Sequence, residues 1–395
     1  MVVAVLVAAA LLLPQAGTGP ALATDEFVPG EVLVKFRPGT PGAEVAAAHR
    51  QAGGQPREVI PAIDVQVVRV PAGRERAAVE AYRRSPNVVF AEVNGFYAAI
   101  WTPNDPYYGQ QWQYPKIQAP DAWAVVTGTS QVAIAILDTG IDQSHEDLRS
   151  KVAQNVNFTT SGSFDDKYGH GTHVAGSAAA ATNNGLGVAG TCPNCALYNV
   201  KVLGDNGSGA WSWIANGIVW AADNGAKVIN MSLGGSTGSS TVEDAVNYAW
   251  NKGVVLVAAA GNSGSSAPSY PAYYANVIAV AATDQNDNKA SFSNYGTWVD
   301  IAAPGVSILS TAPDHRNRIW GFGVKYGTLS GTSMASPHVA GVAGLVWSTG
   351  ACGTNSCVRS RIENGADKIA GTGTYWANGR LNAYNAVVGR TGSSP

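Results

Sequence analysis

The stretch VAIAILDTG, residues 132–140, is an apolar run that ends in a carboxylate and a glycine. Similar, near-continuous apolar runs follow at 197–202, 228–231, 254–260 and 277–281, and Ala-rich stretches separate them. Strands that are apolar on both sides, with helices between them, are typical of a parallel sheet covered on both faces. The sequence therefore predicts an α/β domain built on such a sheet.

Three polar motifs accompany this pattern: Asp138-Thr139-Gly140, His170-Gly171-Thr172-His173 and GTSMASP at 331–337. A serine hydroxyl is a weak nucleophile at neutral pH, so it needs a base, and a third group must hold the tautomer of that base. Asp138, His170 and Ser333 offer these groups in chain order. Asp138 directly follows a strand, and open α/β sheets bind ligands beyond the carboxyl ends of their strands. The motifs indicate nucleophilic acyl transfer.

The order Asp, His, Ser and the seven-residue string around Ser333 resemble the subtilisin family. From Trp101 almost to the C-terminus, the chain is similar to the thermitase branch of that family, whose members bind calcium. The resemblance implies a three-layer, mainly parallel α/β fold and a serine endopeptidase that works through an acyl-enzyme. It also implies polypeptide substrates, with His170 as general base and then general acid.

The resemblance assigns further site residues. Asn262, in AAAGN at 258–262, matches the asparagine that stabilises the oxyanion together with the Ser333 amide. Residues Ser232, Leu233, Gly234 and Gly235 match the edge that pairs with the substrate backbone, which implies broad specificity. A segment at 313–328 is longer than its family equivalent; it either reshapes the leaving-group side of the cleft or is a surface insertion.

Each site residue also has a plainer explanation. A strand-end Asp often caps a turn, Gly-Thr-Ser often caps a helix, and Asn after Gly is a common turn residue. The alternative function is a non-catalytic secreted binding protein on the same fold, since a fold does not guarantee activity. A decayed copy is expected to lose Asp138, His170, Asn262 or Ser333, and all four are present. A lipase or esterase is disfavoured because the Gly-x-Ser-x-Gly elbow is missing.

Calcium prefers six to eight oxygen ligands that mix carboxylates with carbonyls. The resemblance predicts one strong structural Ca²⁺ site from the carboxylates of Asp105 and Asp147, the Asn184 side chain and the carbonyls of Ala181, Leu186 and Val188. It predicts a second, weaker cation site on the carbonyls of Ala272, Tyr274 and Val277 near Asp300.

The N-terminal part has a different composition. The apolar run Val2–Leu13 and the small residues Ala21-Leu22-Ala23 predict a signal peptide at 1–23 and hence secretion, although no Lys or Arg precedes the run; a disordered apolar terminus is the alternative. Strand-like runs at 32–34 and 65–68 and a helical stretch at 44–49 predict a small α+β domain at 24–100. It resembles an inhibitory pro-domain, which implies self-processing near Ile100 and a peptidase domain at 101–395. A substrate- or partner-binding domain is the alternative.

Net charge and cysteine content indicate which partners and which covalent links to expect. The net charge of −2 gives no reason to expect nucleic acid or an acidic membrane as partner, and we expect a monomer. The four cysteines form two close pairs, Cys192 with Cys195 and Cys352 with Cys357. In an exported protein these pairs predict two small disulfide loops, with a redox motif or a zinc site as alternatives, and sequence alone does not fix the connectivity.

Overall fold

The computed structural model describes residues 27–95 and 102–393, so the predicted signal peptide and the predicted cut near Ile100 lie outside the described residues. The chain divides into two compact units, Met1–Ala98 and Ala99–Pro395. Of the described helices, none is long and apolar enough to span a bilayer.

The first unit is an antiparallel sheet with two helices. Its elements are β1 (Phe27–Phe36), α1 (Gly42–Ala52), β2 (Gln55–Ile60), β3 (Val65–Arg69), α2 (Glu75–Arg83) and β4 (Val88–Gly95). The strand order is β2-β3-β1-β4. Val32, Val34 and Val68 of the sheet pack with Val79 and Tyr82 of α2. This is the small α+β domain that the sequence predicts.

The second unit carries the parallel sheet. After a 3-10 helix at Tyr108–Gln110 its elements are α3 (Gln113–Lys116), α4 (Ala119–Val125), β5 (Ala133–Asp138), β6 (Val152–Asn157), α5 (His170–Ala179), β7 (Ala196–Lys201), α6 (Trp211–Asp223), β8 (Val228–Met231), α7 (Ser240–Asn251), β9 (Val255–Ala259), β10 (Val277–Thr283), β11 (Ile301–Pro304), β12 (Ile308–Thr311), β13 (Tyr326–Leu329), α8 (Thr332–Ser348), α9 (Asn355–Gly365) and α10 (Ala383–Val388).

Its seven strands lie in the order β11-β10-β9-β8-β5-β7-β6, and each neighbouring pair is parallel. Alternate residues of β5 face two cores. Ile134 and Ile136 pack in the core that includes α5 and α8, whereas Ala135 and Leu137 pack in the core of α6 and α7. The apolar runs exist because both faces are buried, and the predicted three-layer fold is confirmed.

The sequence patterns missed some strands. Exposed and partly buried residues alternate along β6, because it is the edge strand, so it has no continuous apolar run. The short β12 and β13 form a separate antiparallel pair. Both cysteine pairs are disulfides, Cys192 with Cys195 and Cys352 with Cys357.

Candidate active site

Asp138 and His170 meet at the carboxyl edge of the sheet. Asp138, the last residue of β5, is fully buried, and its Oδ1 accepts hydrogen bonds from the Thr139 amide at 2.7 Å and from His170 Nδ1 at 2.8 Å. Gly169 precedes α5 with φ of 108°, a conformation that favours glycine. Since a carboxylate only accepts, Nδ1 carries the proton, and Nε2 of the neutral ring is left as an acceptor.

The charge around His170 favours its protonated form. Burial lowers the pKa of His170, but the charge and hydrogen bond of Asp138 and the charge of Asp166 outweigh burial and raise that pKa above its ordinary value. Two other buried histidines differ from His170. Burial lowers the pKa of His173 to about 3 and that of His338 to about 4. Of these three imidazoles, His170 is therefore the one suited to proton transfer near neutral pH.

Ser333 lies in the first turn of α8, which begins at Thr332. Its Oγ donates to the Ser232 carbonyl at 3.2 Å, and the Ser232 hydroxyl donates back to the Ser333 carbonyl at 2.8 Å. Because a hydroxyl has one proton, Ser333 does not donate to His170 in this arrangement. The amides of a first helical turn have no partner within the helix, so negative charge is favoured there.

Asn262 anchors the start of α8. Its Oδ1 accepts from the Thr332 amide at 2.8 Å and from the Thr332 hydroxyl at 2.9 Å. These bonds orient the side chain and leave its Nδ2 available for another acceptor. A Cβ atom built on Gly331 would lie 3.5 Å from Asn262 Nδ2 and 3.7 Å from the Ser333 amide nitrogen. The two nitrogens predicted to stabilise an oxyanion therefore lie near the same backbone position.

A cleft lies beside His170. His170 and residues 232–235 line it together with Tyr168, Trp211 and Tyr270. The amide and carbonyl of Gly235 already pair with the backbone of Tyr270, at 2.9 and 2.8 Å. Within the predicted substrate edge, Gly235 is thus the residue whose amide is occupied.

Both carboxylates of the predicted strong calcium site are buried and lie against the loop 181–188. Asp105 Oδ2 accepts from the Asn183 amide at 2.7 Å, whereas its Oδ1 is buried with no hydrogen-bond partner. Asp147 accepts from the Asn184 side chain at 2.9 Å and from the Val188 amide at 3.1 Å. Burial and the charge of Asp147 raise the pKa of Asp105. An unpartnered oxygen beside a second carboxylate fits a hard cation.

The region of the predicted weaker site is different. Asp300 Oδ1 accepts from Arg359 Nη2 at 2.9 Å, and its Oδ2 accepts from the Ala279 amide at 2.7 Å. Arg359 also donates to the Ala275 carbonyl at 2.8 Å. A guanidinium therefore supplies positive charge beside Asp300, and the weaker site stays a prediction.

The long segment 313–328 packs on the residues that precede His170. The amides of Arg318 and Ile319 donate to the carbonyls of Lys167 and Tyr168, both at 3.0 Å. His315 Nε2 lies 3.0 Å from Asp165 Oδ1. The structure thus connects this segment to the cleft through Tyr168, which lines the cleft.

Sequence comparisons agree with this geometry. The family described as "Subtilase family" matches residues 129–386, and "Fervidolysin N-terminal prodomain" matches residues 14–94. Thermitase from Thermoactinomyces vulgaris is 57% identical over 289 residues, which cover 73% of this chain and 99% of thermitase. "Thermophilic serine proteinase" from Bacillus sp. (strain AK1) is 49% identical over 366 residues, 92% of this chain and 88% of the relative.

A solved structure of a protease from Pseudoalteromonas arctica superposes with a TM-score of 0.66 at 34% identity and covers 73% of this chain and 99% of that chain. Fold, motif order and sequence identity thus agree. The chain belongs to the subtilase family and is a thermitase-like subtilisin, a serine endopeptidase with an N-terminal prodomain.

Proposed function

We propose that the protein is a secreted, calcium-stabilised endopeptidase of broad specificity that acts through Asp138, His170 and Ser333. The observation that carries this proposal is the 2.8 Å contact of His170 Nδ1 with a buried carboxylate, on the cleft that Ser232 also lines. Ser232 contacts Ser333 through two hydrogen bonds, which supports placing the nucleophile beside the cleft that His170 lines.

The reaction begins when the Ser333 hydroxyl turns from the Ser232 carbonyl towards Nε2 of His170. Oγ attacks the peptide carbonyl carbon, its proton passes to Nε2, and the Asn262 side chain and the Ser333 amide stabilise the oxyanion. His170 then protonates the leaving amine as the C–N bond breaks, which forms the acyl-enzyme. Water attacks this ester and gives a proton to His170, which passes it to Ser333 Oγ as the bond between Oγ and the acyl carbon breaks and the acid product leaves.

Broad specificity follows from binding through the backbone. Residues Ser232, Leu233 and Gly234 line the cleft with short or apolar side chains. Backbone pairing of an extended substrate with such an edge selects for conformation more than for side chains. Gly235 shapes the edge, because its pairing with Tyr270 fixes the backbone that follows.

Calcium would be held by Asp105, Asp147 and Asn184, with the carbonyls of Ala181, Leu186 and Val188. The buried Asp105 oxygen without a partner supports this site. When bound, the ion supplies positive charge between two buried carboxylates and ties the loop 181–188 to the rest of the unit. A carbonyl site at Ala272, Tyr274 and Val277 near Asp300 is the weaker proposal, since Arg359 pairs with Asp300.

Removal of calcium tests this site. In chains made inactive by Ser333→Ala, a chelator is expected to lower the melting temperature by about 5 °C or more if the ion is present well above its Kd. Asp105→Asn should abolish this response. Asp284→Asn, at an aspartate in a surface loop, should retain it. An unmodified chain that melts at the same temperature with and without chelator contradicts the calcium proposal.

The protein is proposed to be made as a precursor. Residues 1–23 would be the signal peptide, 24–100 an intramolecular inhibitor and 101–395 the monomeric peptidase. The matches of a prodomain family to residues 14–94 and of the subtilase family to 129–386 support a prodomain followed by a peptidase domain, and the first match begins within the proposed signal peptide. Processing near Ile100 would then release the mature enzyme.

The test compares the full precursor with its Ser333→Ala variant, by intact mass and by digestion of casein. We expect the unaltered chain alone to cut itself near Ile100 and to digest casein. If both chains are folded, stay intact and leave casein undigested, the non-catalytic binding protein becomes the better description.

A further inference from the structure

Asp166 is a fully buried aspartate four residues before His170. Its Oδ1 accepts from the Thr139 hydroxyl at 2.8 Å, the Gly169 amide at 2.7 Å and the Tyr168 amide at 3.2 Å. Its Oδ2 accepts from the amide and the hydroxyl of Thr172, at 2.8 and 2.7 Å. One carboxylate thus receives hydrogen bonds on both sides of His170 and from the residue next to Asp138.

These contacts favour the ionised carboxylate over the acid. All five come from donors, and both threonine hydroxyls accept a second bond, from the amides of Gly171 and Asp142. A protonated acid would need an acceptor for its own proton, and these five partners offer none in this arrangement. Burial raises the pKa of Asp166, while the bonds from Gly169, Thr172 and Thr139 oppose that rise.

We propose that Asp166 is a positioning residue for the proteolytic reaction, whose carboxylate fixes His170 against Asp138. Thr139 follows Asp138 at the end of β5, and Thr172 lies in the first turn of α5 with His170. Asp166 joins the two elements through a pair of buried hydroxyls. The relative placement of the base and its orienting carboxylate therefore depends on this third acid, which the sequence motifs do not single out.

The charge of Asp166 also acts on the imidazole. The other charged or titratable groups around His170 are Asp138 of β5, the buried Lys201 of β7, which donates to the Thr139 carbonyl, and His173 of α5. A negative charge stabilises the imidazolium, so loss of the Asp166 charge is expected to lower the pKa of His170. Because the base must be neutral, the acidic limb of kcat/KM should then move to lower pH.

The test compares Asp166→Asn with Asp165→Asn. Asp165 is the adjacent carboxylate, but it pairs with His315 and Lys167 at the surface. Asp166→Asn is expected to lower kcat about tenfold or more with KM nearly unchanged, since the base is misplaced while the cleft is retained. The acidic limb should shift downwards, and Asp165→Asn should change neither property. The proposal is overturned if folded Asp166→Asn keeps the kcat and the acidic limb of the unmodified chain. It is also overturned if Asp166→Asn and Asp165→Asn have equal effects.

Two substitutions of Thr172, with smaller expected effects on stability, test the proposal if Asp166→Asn does not fold. Thr172→Val removes one donor to Asp166, and Thr172→Ser restores it. We expect kcat to fall in the first and to recover in the second, at constant KM. A Val variant with the kcat of the unmodified chain overturns the inference.

The inference rests on the proposed function, so a readout that needs no activity separates the two. The pKa of His170 is measured by NMR titration in Ser333→Ala chains with and without Asp166→Asn. A lower pKa in the Asn variant supports the role of Asp166 even if the unmodified chain digests nothing. An equal or higher pKa contradicts it even if the protease is active.

Discussion

The two halves of the candidate site are held in different ways. On the His170 side, buried carboxylates receive the hydrogen bonds, five at Asp166 and two at Asp138 Oδ1. On the Ser333 side, the hydrogen bonds join neutral groups. The Ser232 hydroxyl accepts from the Asn230 side chain and donates to the Ser333 carbonyl, and the Ser336 hydroxyl donates to Asn230.

We infer from this difference that the His170 side is held rigidly, whereas the Ser333 hydroxyl is free to change its acceptor. Hydrogen bonds to charged groups are stronger than those between neutral groups, so the base is held in place before substrate arrives. The Ser333 hydroxyl donates to the Ser232 carbonyl and has to leave this neutral acceptor before it can donate to His170. Loss of the Asp138 carboxylate should therefore cost more rate than any substitution in the neutral network.

Asp138→Asn is the largest test of this comparison. The amide is expected to hold the wrong imidazole tautomer and to lower kcat about 10⁴-fold, a magnitude carried over from serine proteases with this triad rather than worked out for this chain. Steady-state kinetics on a peptide substrate give the value. A loss of less than about tenfold would mean that the buried contact does not orient the base.

Asn262→Ala is expected to lower kcat by about 10² to 10³ with little change in KM, a range borrowed from the corresponding change in subtilisin. The variant removes the Nδ2 donor and also the acceptor of both Thr332 bonds. Asn262→Asp keeps that acceptor and lacks the donor. Similar losses in both variants identify the donor as the cause, and a fully active Asp variant contradicts it.

The dependence on pH tests the charge around His170. Since the pKa of His170 is raised, its protonated form persists above the ordinary histidine pKa, and the neutral base forms only at higher pH. We expect kcat/KM to fall about tenfold per pH unit as the pH drops below this raised pKa. A pH–rate profile on a neutral substrate measures it. A limb below the ordinary pKa of histidine would show that burial outweighs Asp138.

Ser232→Ala is expected to have the smallest effect. It removes the link between Asn230 and the Ser333 carbonyl and leaves the buried Asn230 amide without that partner. The expected destabilisation is about 1 to 3 kcal/mol, with kcat reduced only a few-fold. Thermal unfolding in the Ser333→Ala background and kinetics in the active chain test it. A loss as large as that of Asp138→Asn would remove the contrast between the halves.

The sequence predicts the fold where burial on both faces leaves continuous apolar runs, as in β5 and β9. It misses β6, in which exposed residues such as Asn155 interrupt any continuous apolar run. The chain order of Asp138, His170 and Ser333 also points to the chemistry. Asp166 is not apparent from any motif, because its partners include backbone amides and two threonines that only the folded chain brings together.

The start of α8 at Thr332 is difficult to predict for a similar reason. Gly331 and Thr332 favour a helix cap in isolation, but the bonds from Thr332 to Asn262, 70 residues away, fix where α8 begins. Long-range hydrogen bonds of this kind leave no periodic pattern in a sequence.

Covalent labelling tests whether Ser333 is the nucleophile and whether His170 activates it. The mature chain is treated with a serine-reactive organophosphonate at neutral pH, and labelled peptides are found by mass spectrometry, with His170→Ala as the control. We expect one label per chain, on Ser333, and a loss of peptidase activity in proportion to the labelled fraction. The His170→Ala control should take up little label. Activity that survives complete labelling of Ser333, or label that spreads over other serines and is unchanged by His170→Ala, would contradict it.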